Sequence, residues 1–176
     1  MKKLAINIGL NMNSLVAIQN ELDELYEESK YVYELWMRKV AEREVDRYRR
    51  RDRNEKTNYQ LSLEFHGSSF RIRWIRIIFV KNNQRITRLA KPIVTPRNNK
   101  YCLSKFKHAE SWEMELIESI EEVLYPVRVK KAALMKAHQN ILKASKLLNV
   151  YIEKSTSKQR VQPTSESISK YKSKYV

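Results

Sequence analysis

The sequence predicts an α+β fold in which long helices flank a small antiparallel sheet. Apolar residues recur at steps of three and four over residues 13–50 and again after residue 107, which is the spacing of one helix face. Between these segments, residues 59–66 alternate apolar and polar side chains, as a half-buried strand does. Only 2 glycines and 4 prolines occur, which also favours helix. We expect a single α+β domain over residues 1–153 and a disordered basic tail over residues 154–176.

The first helix is predicted over residues 13–50. Asn13 and Ser14 carry side chains that commonly cap a helix N-terminus, so the helix is expected to begin there. A seam with heptad spacing is typical of helices that pair with one another. We therefore expect a homodimer through this helix, although the same seam could equally be buried inside one chain. The seam consists of Leu15, Ile18, Leu22, Leu25, Ser29, Val32 and Trp36.

The middle of the chain predicts a three- to four-stranded antiparallel β-meander over residues 59–104. The segments "YQLSLEFH", "FRIRWIRIIFV" and "RITRLAK" read as three consecutive strands, and the polar stretches "GSS" and "KNNQ" read as the turns between them. Pro92 and Pro96 then interrupt regular structure, because proline cannot donate a ladder hydrogen bond. The segment "KYCLSKF" is the candidate fourth strand.

The second predicted strand, residues 70–80, raises a question because it is apolar yet contains three arginines. Its alternation breaks between Trp74 and Ile75, where the apolar residues change from even to odd positions. A β-bulge at 74–75 would place the apolar residues of both halves on the core side. The hypothesis therefore puts Arg71, Arg73 and Arg76 in one row on the outer face.

Two C-terminal helices are predicted over residues 107–124 and 127–153. They are separated at Pro126, because a proline removes one helical hydrogen bond and its ring clashes with the preceding turn. The first carries a stripe from Trp112 to Leu124, and the second carries a narrower seam. The segment after Glu153 is polar and without periodicity, which is why we expect the tail to be disordered.

Basic residues outnumber acidic ones by 35 to 20, and the excess is unevenly distributed. Residues 41–109 contain 18 basic and 6 acidic residues, whereas residues 110–125 contain six acidic residues and no basic one. A clustered basic face is typical of nucleic-acid binding, since Arg and Lys hold phosphates. We favour this interpretation over an ordinary solvated surface. The predicted DNA contacts are Arg47, Arg49, Arg50, Arg51, Arg53, Arg71, Arg73, Arg76, Arg85, Arg88, Lys130 and Lys131.

Patterns for catalysis or for a cofactor are missing from the sequence. Two glycines cannot build a glycine-rich phosphate loop, and the three histidines lie in different predicted elements. Cys102, the single cysteine, has no evident neighbouring base and excludes an internal disulfide. We therefore expect a non-enzymatic protein of a reducing cytoplasm, without cofactor or metal. No apolar run is long enough to span a membrane.

The basic block followed by an acidic helix resembles a known family. The stretch "FRIRWIRIIFVKNNQRITRLAK", which runs on into "SKFKHAESWEMELI", is similar to the MobI-type conjugative transfer proteins of integrative conjugative elements and mobilisable plasmids. The resemblance covers roughly residues 60–130. It implies a non-enzymatic accessory protein of the relaxosome, in the bacterial cytoplasm, that binds double-stranded DNA at the origin of transfer and assists the relaxase. No site residues are carried over from the family.

Two other functions stay open on the residues alone. In an RNA-binding protein, Trp74, Tyr59 or Tyr101 would stack on unpaired bases beside the same arginines. Aromatic side chains that face solvent would support this alternative, and aromatic side chains in the core would count against it. In a coiled-coil scaffold, the basic surface would instead meet an acidic protein.

Overall fold

The computed structural model describes residues 2–51, 55–66, 68–82 and 85–148. It confirms an α+β fold, in which two α-helices within these ranges pack on one face of a three-stranded antiparallel sheet. The predicted tail over residues 154–176 lies outside the described residues. In chain order the elements are α1 (Lys2–Arg50), β1 (Tyr59–His66), β2 (Ser69–Asn82), β3 (Arg85–Pro92), a short 3-10 helix (Leu103–Phe106) and α2 (Ser111–Leu147).

Helix α1 begins earlier than predicted and ends where predicted. Asn13 and Ser14 occupy exposed positions inside the helix and do not start it, because the helical run extends back to Lys2. At the other end, Arg51 has a φ of 55° and its N–H donates to the carbonyl of Tyr48 at 3.1 Å. This left-handed residue is a common way to close a helix, although glycine usually supplies it.

The heptad seam of α1 is buried within the chain. Leu22, Leu25 and Trp36 are almost fully buried, and α1 packs against both α2 and β1. Lys130 of α2 also forms an ion pair with Glu21 of α1 at 2.7 Å. Burial inside one chain, the second of the two uses considered for this seam, therefore accounts for the periodicity. The seam no longer supports the predicted homodimer.

The sheet has the order β1-β2-β3, and its two ladders are regular from end to end. Its inner face packs on the helices: the indole rings of Trp36 and Trp74 meet edge to face at 4.8 Å. We call the opposite side the outer face.

The candidate fourth strand is wrong, because residues 103–106 form the 3-10 helix, which turns Phe106 into the core.

The predicted β-bulge at 74–75 is also wrong. Every residue of β2 from Ser69 to Arg76 has one partner on β1, so the side chains alternate without a break. Arg71 and Arg73 lie on the outer face, as predicted, but Arg76 lies on the inner face beside Tyr59. Arg76 is tolerated there because its side chain is only partly buried, although Tyr59 opposite it belongs to the core.

Pro126 lies inside α2 and does not separate two helices, which corrects the predicted division at this residue. Its side chain is exposed, so the missing hydrogen bond falls on the solvent side of the helix. Ile120, Leu124 and Val127 are buried on the other side and form one continuous apolar stripe across the proline. Packing of this stripe on the core holds the helix together through residue 126.

Two buried carboxylates connect α2 to the sheet. Glu121 accepts a hydrogen bond from the indole N–H of Trp74 at 2.7 Å and forms an ion pair with the buried guanidinium of Arg128. Glu113 accepts the backbone N–H groups of Asn58 and Tyr59 at 3.0 and 2.7 Å, at the point where β1 begins. Burial raises the pKa of Glu113 to about 7, although these hydrogen bonds act in the opposite direction.

Candidate nucleic-acid interface

The chain between Glu64 and Glu110 contains eleven lysines and arginines and no acidic residue. This segment forms β2, β3 and the loop that leads to α2. Its cations can be neutralised only by carboxylates from other parts of the fold or by an external anion. The ion pairs around it therefore show which positive charges the protein itself leaves unpaired.

Because β2 is longer than β1, the sheet continues as a two-stranded arm. Pairing between β1 and β2 ends at Arg76, whereas β3 pairs with β2 as far as Asn82. We define the arm as residues 77–82 and 85–90, a ribbon roughly 20 Å long at the rise of an extended strand. All residues of β3 are exposed, and so are Phe79 and Val80 of β2.

The outer face of the arm combines cations with large apolar side chains. Directly opposed residues of an antiparallel ladder share a face, so Phe79 lies beside Arg88 and Lys81 lies beside Ile86. Phe79 is 57% exposed and Ile86 is 71% exposed. Each apolar side chain therefore stands next to a positive charge in solvent, an arrangement that a folded core does not require.

Arg88 is held across the sheet by a neutral partner. Its Nη2 donates to the Oε1 of Gln60 at 2.8 Å. Gln60 lies on β1 opposite Ile75, so the arginine side chain crosses β2 on the outer face to reach it. A neutral acceptor orients the guanidinium but leaves its full charge available to an external anion.

The outer face continues from the arm to Arg71 and Arg73. The Nη2 of Arg73 forms an ion pair with Glu64 at 3.2 Å, and Ser62 donates to the same carboxylate at 2.7 Å. The hydrogen bond from Ser62 and the charge of Arg73 together hold the pKa of Glu64 below its ordinary value. Arg71 forms no ion pair or hydrogen bond through its side chain with any residue that the structure describes. Arg73 therefore pairs directly with Glu64, whereas Arg71, opposite Glu64 in the ladder, acts on that carboxylate only through its charge.

The arginines at the end of α1 are gathered mainly around one carboxylate. Arg50 forms an ion pair with Glu55 at 3.2 Å, and Arg47 donates to the backbone carbonyl of Glu55 at 2.8 Å. Arg43 also binds Glu55. The side chains of Arg49 and Arg51 are exposed and have no ion-pair partner within the described ranges. Arg53 lies outside the described residues, so its predicted contact is not placed.

Lys130 and Lys131 form contacts that stabilise the fold. Lys130 forms the ion pair with Glu21 described above, and the neighbouring carboxylates raise its pKa. Lys131 donates to the carbonyl of Phe70 at 2.8 Å and stands 5.2 Å from the centre of that ring. Burial, followed by the charges of Arg71 and Arg128, lowers the pKa of Lys131. Lys131 lies near the β1–β2 turn, at the end of β2 opposite the arm, and Lys130 lies beside α1.

The predicted DNA contacts therefore divide into groups. The outer face brings Arg71, Arg73 and Arg88 together, and Arg85 lies at the end of the arm. Arg76 lies on the inner face at the base of the arm, opposite Lys91. The α1 arginines form a separate cluster, and the two lysines of α2 stand apart from both.

Sequence reasoning missed several residues of the arm: Lys81, Lys91, Phe79 and Ile86. The signal that could have found them is the difference in strand length. An apolar run that starts at Phe70 and continues to Val80 is too long to be covered by the eight residues of β1. The excess predicts a segment of β2 that pairs on one side only.

The aromatic residues proposed for base stacking lie in the core. Trp74, Tyr59 and Tyr101 are all buried, and the rings of Trp74 and Tyr59 both pack edge to face on Phe106. This arrangement counts against the RNA-binding alternative in the form in which the sequence suggested it. Phe79 is the exposed aromatic residue of the sheet.

Neither a metal site nor a membrane span is found in the part of the chain that the structure describes. No group of three or more metal-ligating side chains comes together there. Neither helix has, over its described residues, a stretch both long and apolar enough to cross a bilayer.

Comparison with known proteins supports the resemblance seen in the sequence. No curated protein and no solved structure matches the chain. A family model described as MobI protein matches residues 25–142, which is more than half of the chain. The match extends from the middle of the buried seam, through the whole sheet and the arm, to the last third of α2. The chain belongs to the MobI family, a family of proteins related to mobilisation and conjugation.

Proposed function

We propose that this protein is a non-enzymatic accessory factor of bacterial conjugation that binds double-stranded DNA through its arm. The observation that carries the proposal is the exposed, acid-free arm with Lys81, Arg85 and Arg88 on it and Arg76 and Lys91 at its base. No carboxylate among the described residues forms an ion pair with these cations. The partner that this arm suits is a polyanion.

The shape of the arm favours a duplex. A two-stranded β-ribbon enters the major groove of B-DNA, where arginine pairs with the edge of guanine through two hydrogen bonds. Arg88 on the outer face and Arg85 on the inner face near the tip are both suitable for that role, because both are exposed and neither pairs with a described carboxylate. Arg71 on the outer face, with Arg49 and Arg51 at the end of α1, would hold phosphates and fix the orientation of the protein.

Membership of the MobI family supplies the biological setting of the proposal. The DNA would be the origin of transfer, the partner protein would be the relaxase, and the compartment would be the bacterial cytoplasm. A homodimer would match a repeated site, but its contacts would have to lie outside the buried α1 seam. A scaffold that meets an acidic protein predicts no duplex binding at all, which separates it from this proposal.

A binding experiment with three probes tests the proposal. Fluorescence anisotropy at two salt concentrations would compare origin-of-transfer duplex, unrelated duplex and structured RNA. The wild type should prefer the origin duplex. Equal weak binding to all three probes, abolished together by salt, would contradict origin recognition.

Two double variants test whether the arm makes the contact with DNA. Arg85→Gln with Arg88→Gln should weaken duplex binding by about tenfold or more, since one specific arginine contact is worth about 1 to 3 kcal/mol. The matched control, Lys136→Gln with Lys143→Gln, removes two exposed charges from α2 and should change affinity little. If both double variants lost the same affinity, the effect would be one of net charge and the arm would have no special role.

A further inference from the structure

The exposed apolar side chains of the arm need an explanation that charge does not supply. Phe79 and Ile86 are diagonal neighbours on the outer face, because Ile86 lies opposite Lys81, two residues along β2 from Phe79. A solvent-exposed pair of this size on an unsupported ribbon adds no core and creates an aggregation risk. Phosphate contacts need only the cations that stand beside them.

The surroundings of the pair indicate what covers it. A second copy of the arm would bring like charges together, since the arm has basic residues and no acidic ones. A flat anionic surface would not follow a narrow ribbon whose cations continue along the sheet to Arg71 and Arg73. A nucleic-acid groove provides anions on both sides of an apolar stack of bases, which matches a cation beside each apolar side chain.

We infer that Phe79 and Ile86 form a wedge that enters between base pairs and bends the DNA held by the arm. This inference rests on the proposed function and names how the same surface acts on its substrate. Minor-groove proteins that insert apolar wedges unstack a base step and kink the duplex, which wraps more of the DNA onto the protein, and here the wedge would act from the groove that the arm occupies. In conjugation, local unstacking near the origin would make the strands easier to separate.

The wedge has a physical signature that phosphate binding lacks. Unstacking costs free energy on an intact duplex and costs less where a mismatch has already weakened the stack. The wild type should therefore bind a duplex with one central mismatch about tenfold more tightly than the intact duplex. A protein without the wedge should bind the two equally.

The experiment uses the full chain and an origin-of-transfer duplex that carries a donor and an acceptor fluorophore at its two ends. Binding of the wild type should shorten the end-to-end distance and raise energy transfer. Phe79→Ser with Ile86→Ser should abolish this rise and the preference for the mismatch. The slope of affinity against salt should stay unchanged, because the cations remain.

A control from the other face of the same ribbon keeps the test specific. Val80 and Leu89 are 40% and 48% exposed and lie on the inner face of the arm. Val80→Ser with Leu89→Ser also removes two exposed apolar side chains from the arm and should leave bending intact. Circular dichroism of both double variants would establish that the fold is retained.

Four results would overturn the inference. If the wild type binds duplex without bending it, or if both double variants bend it equally, the wedge is wrong and the DNA-binding proposal stands. If Phe79→Ser with Ile86→Ser instead dissociates a dimer, the pair is a contact between copies. If it abolishes binding to vesicles of anionic lipid while no duplex is bound, both proposals fail.

Discussion

The two halves of β2 are built from similar residues but lie in different surroundings. Phe70, Ile72 and Trp74 in the first half are at most 3% exposed. In the second half, Ile77 at the base of the arm is still buried, but Phe79 and Val80 are 57% and 40% exposed. The first half pairs with β1 and lies under the helices, whereas the second half pairs with β3 alone.

The difference shows that burial under the helices, and not residue type, decides the role of these side chains. An apolar residue under α1 and α2 contributes to the free energy of unfolding, because it leaves water when the chain folds. Phe79 and Val80 on the arm stay largely in water and contribute little. Substitutions in the two halves should therefore affect different measurements, and the predictions below run from the largest effect to the smallest.

Trp74→Ala should be the most destabilising of these changes. It removes the ring that packs on Trp36 and Phe106, and it leaves the carboxylate of Glu121 without its indole donor. The expected loss is about 5 kcal/mol of unfolding free energy, at the upper end for a large core aromatic. Urea unfolding followed by circular dichroism measures it. The stability of Trp74→Phe should lie between that of the wild type and that of Trp74→Ala. If Trp74→Ala were as stable as the wild type, the assignment of this half to the core would be contradicted.

Arg128→Met should cost about 4 kcal/mol, because it leaves the buried charge of Glu121 without its cation. The guanidinium also donates to the carbonyl of Asn99 at 2.9 Å and lies 4.9 Å from the ring centre of Tyr101. Adding Glu121→Gln to this variant removes the stranded charge and should restore part of the loss in the same unfolding assay. A double variant as unstable as the single one would show that packing, and not charge, dominates.

The stability of the core half should depend on pH through Glu113. Its pKa in the folded chain, about 7, lies above the ordinary value of 4.5, so the folded state holds a proton that the unfolded state releases. Stability from this group is therefore complete below pH 4.5 and is lost as the pH rises through 7. The change is about 3 kcal/mol. Urea unfolding across this range should show it in the wild type, and Glu113→Gln should show a flatter profile. Equal profiles would contradict the prediction.

Phe79→Ser should change the free energy of unfolding by less than about 0.5 kcal/mol, as expected for an exposed side chain. This is the smallest of the four effects and the sharpest test of the comparison, since a buried Phe at this position would cost several times more. The unfolding assay used for Trp74→Ala serves here too. A loss of 2 kcal/mol or more, on the order expected for burial, would mean that the arm folds back onto the core.

Periodicity predicted the elements of this fold because each buried face extends over many residues. The seam of α1 and the alternation of β1 are both regular enough to identify helix and strand without tertiary information. The predicted separation of two helices at Pro126 was wrong. Proline weakens only one turn of a helix, whereas the buried stripe from Ile120 to Val127 stabilises several turns. The bulge failed because it assumed that all apolar residues of β2 face one core.

The candidate site could be predicted in part only. Charge counting found Arg71, Arg73, Arg85 and Arg88, because the local excess of cations is visible in the sequence. It also selected Lys130 and Lys131, whose ion pair with Glu21 and hydrogen bond to Phe70 depend on contacts distant in sequence. Phe79 and Ile86 were missed because exposure is set by the end of β1, which no property of their own positions reveals.

The free edge of β3 has a consequence for how the protein behaves in solution. One side of this strand presents unpaired backbone groups, and positive charges keep such edges from pairing with those of other molecules. Salt screens charges beyond about 10 Å at 0.1 M and beyond about 3 Å at 1 M. Concentrated salt, which solubilises many basic proteins by releasing bound nucleic acid, should here remove the repulsion between arms. Purification of this chain therefore calls for an intermediate ionic strength, and light scattering against salt would locate it.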